Sequence, residues 1–126
     1  MRLKNLDAHI REAAYVFDLD AKYSSWTQKQ SVEMLGSYLL DESKEFLESL
    51  LEKGVEESFD ELSDVLGRFV AILLKLEDLG YTMEEIFGER LFNKYKRRKP
   101  HIFEQRTLPS EEECRIWNEA KAKEDD

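Results

Sequence analysis

Two short acidic clusters carry the first suggestion of chemistry. The chain reads Asp41-Glu42-Ser43-Lys44-Glu45 and, further on, Glu61-Leu62-Ser63-Asp64. Glu42 with Glu45, and Glu61 with Asp64, are three residues apart, which on a helix makes them neighbours on one face. Two like charges about 5 Å apart repel by roughly 3 kcal/mol at an effective dielectric of about 20. Four mutually close carboxylates multiply that repulsion until it rivals the whole stability of a domain, about 5–15 kcal/mol. If the two clusters meet, some carboxylates hold protons or a cation lies among them. Oxygen donors without His or Cys suit a hard ion such as Mg²⁺ or Mn²⁺. The spacing by itself also fits a solvated acidic face, because Glu48 with Glu52 and Asp60 with Asp64 recur at helical spacing in the same chain.

The clusters meet only if the elements that carry them fold back on each other. Gly54 lies between them, with Glu45 nine residues before it and Glu61 seven after. A helical hairpin turning at Gly54 brings the pairs level to within about one turn, at about 1.5 Å per residue. Helical periodicity dominates the rest of the chain and no strand-like alternation competes with it. A first helix is predicted over Leu3–Phe17, with Leu3, Leu6, Ile10, Ala13, Ala14 and Phe17 on one side, followed by a loop from Asp18 to Ser25. Thr27 is predicted to cap a second helix reaching Lys53. A third spans Glu57–Leu79 and stops at Gly80, a natural left-handed position. Thr82-Met83-Glu84-Glu85 has capping-box spacing and opens a fourth helix, which Pro100 ends. Ser110-Glu111-Glu112-Glu113 is a second capping box before a short helix around Trp117, with fraying from Lys121 to Asp126.

The expected fold is therefore all-α: one domain, residues 1–126, forming an antiparallel bundle of four to five helices. On these helices Glu42, Glu45 and Glu61 lie at the edges of the apolar arcs, and Asp64 lies further round toward solvent. The arc of the third helix is wide. Leu62, Val65, Leu66, Phe69, Val70, Ile72, Leu73, Leu74 and Leu76 cover roughly half its circumference. Such a surface needs neighbours on two sides, so a homo-oligomer, dimer or tetramer, is expected to complete the bundle.

A basic segment follows: Lys94-Tyr95-Lys96-Arg97-Arg98-Lys99-Pro100-His101. Cations at a helix C-terminus are stabilising by about 0.3–1 kcal/mol each, which accounts for some of it. Lys94 and Arg98, however, fall on the same stripe as Met83, Phe87 and Leu91, so they are expected to be drawn inward toward an anion. Arginine is suited to bidentate phosphate contact. A carboxylate cluster and a basic group in one acidic chain fit a metal–phosphate substrate. Trp26 and Trp117 read as packing residues, and His9 and His101 have no metal-ligand spacing. No nucleophile–His–acid set, glycine-rich phosphate loop or CxxC motif is present.

Composition narrows the partners. Asp and Glu outnumber Lys and Arg by 28 to 19, for a net charge of -9. That charge repels nucleic-acid backbones and anionic membranes, so neither duplex nucleic acid nor membrane is expected as a partner. Cys114 is the one cysteine, which excludes an intrachain disulfide and suits a reducing, cytoplasmic setting. The longest apolar run, Phe69–Leu74, is far short of the roughly 20 residues that span a bilayer. The first twenty residues contain no apolar block and read as neither signal peptide nor anchor.

Taken in order, these motifs resemble the MazG family of nucleoside triphosphate pyrophosphohydrolases. The family's paired signature, Glu-Glu-x-x-Glu followed by Glu-x-x-Asp, is matched by the two acidic clusters. The stretch from Trp26 through Gln30 and Ser31 to Leu35 resembles the family's segment before the acidic helix. Lys94 to Phe103 resembles its Lys-x-x-Arg-Arg-x-Pro-His-Val-Phe stretch, and Trp117 with Lys121 its Trp-x-x-x-Lys element. The resemblance implies an all-α fold, dimeric or higher assembly, and Mg²⁺ (or Mn²⁺) held by Glu42, Glu45, Glu61 and Asp64. It implies hydrolysis of (deoxy)nucleoside triphosphates to monophosphate and pyrophosphate, with Glu42 or Glu45 as the carboxylate that orients or deprotonates the attacking water. Tyr38, Asp41, Lys94, Arg97, Arg98, Trp117 and Lys121 are expected to bind the nucleotide. Asp41 replaces the first Glu of the signature and Ser63 stands where many members have Gly. Ser25 and Thr27 flank Trp26 where Pro and Asp are common, and Asn118 follows Trp117 where an acid is frequent. These departures leave the metal shell intact and bear on base preference. A narrower relative acting on dUTP, dCTP or phosphoribosyl-ATP, and a non-catalytic helical oligomeric binding module, are the alternative readings.

Overall fold

The structure, a computed structural model, describes residues 2–124, and each element among them is helical. The elements are α1 (Leu6–Tyr23), α2 (Ser25–Gln28), α3 (Val32–Lys53), a 3₁₀ turn (Glu56–Ser58), α4 (Phe59–Asp78), a π-helical stretch (Glu84–Phe92), α5 (Asn93–Arg98), α6 (Pro100–Phe103) and α7 (Ser110–Glu124). They fall into two compact units, Met1–Tyr81 and Thr82–Asp126.

In the first unit, α1 starts later than predicted and absorbs most of the expected loop. No Gly or Pro interrupts Asp18–Tyr23, and Lys22 pairs with Asp18 one turn back at 3.4 Å, the spacing that supports a helix. The predicted second helix is two helices, and Thr27 caps neither. Ser24 Oγ accepts from the Thr27 N–H at 3.3 Å to start α2, and Ser31 Oγ accepts from the Met34 N–H at 3.1 Å to start α3. The Thr27 hydroxyl instead donates to Asp20 Oδ2 at 2.6 Å, tying α2 back to α1.

The hairpin turns where expected. Gly54 has φ 105°, and Gly80, beyond α4, has φ 99°, values that favour a residue without Cβ. Two buried serines lock the turn: Ser49 Oγ donates to the Glu57 carbonyl at 3.3 Å and Ser58 Oγ to the Val55 carbonyl at 2.6 Å. Helices α3 and α4 make the most extensive packing in the unit, and α1 lies on α4. There the Phe17 ring sits against Gly67, where a Cβ would come within 2.7 Å of Phe17 Cζ.

In the second unit the Thr82 capping box forms as predicted. Thr82 N–H donates to Glu85 Oε2 at 2.7 Å, and Glu85 N–H returns a bond to Thr82 Oγ1 at 3.3 Å. The helix that follows opens with a π-helical stretch the periodicity did not foresee. Asn93 N–H bonds back to the Gly88 carbonyl, five residues earlier, the π pattern. The α-helix ends at Arg98, and Pro100 takes the first position of α6, where a missing N–H costs nothing. The second predicted capping box does not form. Ser110 is already helical, the Pro109 carbonyl accepts from the Glu113 N–H at 3.1 Å, and the Glu113 side chain is engaged by His101 instead. The helix stays regular to Glu124 rather than fraying from Lys121; Asp125 and Asp126 lie outside the described residues.

Apolar burial is thin. Among the described residues Leu35 is the hydrophobic side chain that is fully buried, whereas Leu40, Leu47 and Leu51 on α3 and Leu66 on α4 are exposed. No helix among the described residues is long and apolar enough to cross a membrane.

Candidate active site

The α3–α4 hairpin couples the two acidic clusters as the sequence implies. Glu45, exposed on α3, has its carboxyl pushed above the ordinary range. The charge of Glu42 is the largest cause, followed by a hydrogen bond shared with Glu42, burial, and the charges of Asp64 and Asp41. Asp64 on α4 is also raised, first by desolvation and then by Glu42 and Asp60, with Glu61 adding to the effect and Arg68 opposing it. Asp64 as a residue is exposed and lines a cavity with Phe17, Trp26, Ser63 and Arg68. Glu61 is half-buried, and its Oε2 is buried with no hydrogen-bond partner among the described residues. Asp64 thus acts on Glu45, and Glu42 on Asp64, across the hairpin, while Glu61 acts on Asp64 along its own helix.

Coupling is not convergence. Among the described residues no group of three or more His, Cys, Asp or Glu side chains is placed to hold a metal ion. The Glu42 carboxylate is turned to Arg68, whose Nε lies 3.6 Å from Glu42 Oε1. The donor chemistry nevertheless fits a hard divalent cation: oxygens only, like charges that raise Glu45 and Asp64, and a buried oxygen on Glu61 with no partner among the described residues.

Arg68 is the residue that sequence reasoning missed. It stands one turn after Asp64 and two turns after Glu61, on the carboxylate-bearing side of α4. That spacing was its signal. Its guanidinium carbon lies 5.5 Å from the Trp26 ring centroid and 5.2 Å from that of Tyr38, within cation–π range of both. The two rings are 5.5 Å apart and tilted by 37°. Trp26, read as a packing residue, is therefore part of the site. It is set there by α2, whose last carbonyls are tied down when Gln30 Nε2 donates to the Trp26 carbonyl at 3.0 Å. Beside this stack lies a cavity of about 280 Å³, lined by Phe17, Asp20, Trp26, Ser63, Asp64 and Arg68 among others. Tyr38, half-buried, is in the stack; Asp41 is exposed on α3 and contributes its charge to Glu45.

The remaining predicted site residues belong to the second unit. Arg97 and Arg98 grip one carboxylate, Glu124. Arg97 Nε donates at 2.6 Å, and Arg98 Nε and Nη2 donate at 3.1 and 2.6 Å. This holds the Glu124 carboxyl down at about 2. Arg98 is drawn inward as predicted, stacking 4.9 Å from the Trp117 ring, which Tyr95 meets edge-on at 5.7 Å. Lys94 is half-buried and Lys121 exposed. His101, which had no assigned role, is buried. Its Nε2 donates to Glu113 Oε1 at 3.0 Å, while Nδ1 has no partner among the described residues.

Comparison with known proteins supplies a context. The model of the MazG nucleotide pyrophosphohydrolase domain matches residues 30–103, more than half of the chain. The Bacillus subtilis (strain 168) protein YabN, described as uncharacterized, is 30% identical over 98 residues, covering 76% of this chain and 20% of YabN. The nucleoside triphosphate pyrophosphohydrolase/pyrophosphatase MazG of Thermotoga maritima is 35% identical over 79 residues, covering 62% of this chain and 31% of that protein. The chain therefore spans about a fifth to a third of the length of these relatives. The crystal structure of a mazG-related protein from Thermotoga maritima superposes with a TM-score of 0.79 at 23% identity, covering 89% of this chain and 98% of that one, which shows a shared fold.

The raised Glu45 carboxyl has a measurable consequence. An acid whose folded pKa lies above its unfolded value binds more protons folded than unfolded, so its charge destabilises at neutral pH, and the penalty relaxes as pH falls through the raised pKa. In a buffer containing EDTA, Glu45→Gln is expected to melt above the wild type at pH 7, with the gap closing on acidification. Equal melting temperatures at pH 7 would show that Glu45 is not repelled by its neighbours.

Proposed function

The chain belongs to the MazG nucleotide pyrophosphohydrolase family, and from that premise we propose that it hydrolyses nucleoside or deoxynucleoside triphosphates at the α–β phosphate bond, giving the monophosphate and pyrophosphate. The observation that carries this reading is the electrostatic coupling of Glu42, Glu45 and Asp64, with Glu61 beside them, across one helical hairpin. These four residues would hold Mg²⁺ or Mn²⁺, which when bound supplies a water of lowered pKa and offsets phosphate charge. One of these carboxylates, Glu42 or Glu45, would accept the proton of the attacking water. As the water oxygen bonds to the α-phosphorus, the bond from that phosphorus to the bridging oxygen breaks and pyrophosphate leaves. The water's proton passes to that carboxylate. Arg97 and Arg98 are proposed to bind phosphate, because their donors already take a carboxylate in Glu124, and the same forks suit phosphate oxygens.

The exposed leucines of α3 and α4 support a further part of the proposal, that the chain works as a homo-oligomer, a dimer or tetramer, in which these leucines are covered. Sedimentation should give a multiple of the chain mass; a monomer at micromolar concentration would contradict it.

Purified protein with Mg²⁺ and a panel of nucleoside triphosphates, dUTP and dCTP included, should release pyrophosphate rather than orthophosphate. Glu42→Gln and Asp64→Asn should each lower turnover by about a hundredfold or more, the range general-base and electrostatic contributions span, while leaving the helical circular dichroism unchanged. Orthophosphate as the first product would reject the bond assigned. Full turnover in both variants would reject the residues.

A further inference from the structure

Arg68 is a cation placed among carboxylates whose proposed partner is a divalent ion. It sits at 3.6 Å from Glu42, where Glu42 is 17% and Arg68 31% exposed, so the pair is shielded from much of the surrounding water. Distance and geometry make it a loose pair. The 3.6 Å separation exceeds that of a charge-assisted hydrogen bond, about 2.7–2.9 Å, and among the described residues no acceptor takes a hydrogen bond from the guanidinium. The same guanidinium lies over two rings, Trp26 and Tyr38. Those rings accommodate its charge without help from Glu42. Arg68 and Asp64 both line the cavity of about 280 Å³ beside it. A firm aromatic seat and a weak carboxylate bond together describe a counter-ion built to be exchanged.

Resting on the metal reading above, we infer that Arg68 is a positioning residue that acts through Glu42: an internal counter-ion that a divalent cation must displace, with the Trp26–Tyr38 stack as the seat it keeps when Glu42 turns away. Arg68 then does two things. It offsets the charge of Glu42, which it faces at 3.6 Å. It also sets the affinity of the site, because every ion that binds Glu42 does so against the arginine.

The test is isothermal titration of the full chain with MgCl₂ and no nucleotide. Arg68→Met is expected to bind Mg²⁺ about tenfold more tightly than the wild type, about 1.4 kcal/mol. Arg68→Gln should behave likewise and guards against a folding defect in the first variant. Lys75→Met, which removes the same charge two turns further along α4, should stay within about twofold of the wild type. Wild-type binding of Mg²⁺ with no tightening in either Arg68 variant, or with equal tightening in Lys75→Met, overturns this role of Arg68 alone. Absence of Mg²⁺ binding in every protein overturns the metal reading and this inference with it.

Discussion

Repulsion between carboxylates brought together across the α3–α4 hairpin is the constraint on which the account depends. Packing of the two helices, with Gly54 turning the chain and Ser49 and Ser58 pinning the turn, brings acids into range that would otherwise separate. The cost is visible in Glu45 and Asp64, both pushed toward holding their protons. The opposite holds elsewhere in the same acidic chain. Glu113 is lowered by its bond to His101 and by Lys99, and Glu124 reaches about 2 between two arginines. Acids that serve the fold have been given cations; those of the hairpin share one, Arg68. That contrast separates a site from a merely acidic surface more sharply than any count of carboxylates.

Legibility followed the range of the interactions. The acidic pairs, the hairpin turn at Gly54, the Thr82–Glu85 capping box and the stop before Pro100 are set by residues within a turn or two of one another, and each reads directly from spacing. The all-α fold was legible for the same reason. Where a side chain had a distant competitor, spacing misled. Ser24, Thr27 and Ser31 are equivalent as caps in the sequence, and the bond from Thr27 to Asp20 on α1 decides among them. Ser110 and Glu113 have the spacing of a box, but His101 takes the glutamate. The π-helical stretch, which rests on a five-residue bond pattern, leaves no mark on an apolar stripe of ordinary period.

The site shows the same division. Glu42, Glu45, Glu61 and Asp64 are proposed from type and spacing. Arg68 was not, because its partners lie on α2 and α3 and only the folded hairpin and the bond of Gln30 to the Trp26 carbonyl bring them to it. The inward draw of Arg98 was anticipated, but its carboxylate partner, at the far end of α7, was not.

The most direct measurement of the central claim is a crystal of the full chain grown with Mn²⁺ and examined by anomalous diffraction. The account predicts an anomalous peak at the α3–α4 hairpin bonded by carboxylate oxygens of Glu42, Glu45, Glu61 and Asp64. A map with no peak there, and with those side chains turned apart into bulk solvent, would contradict it.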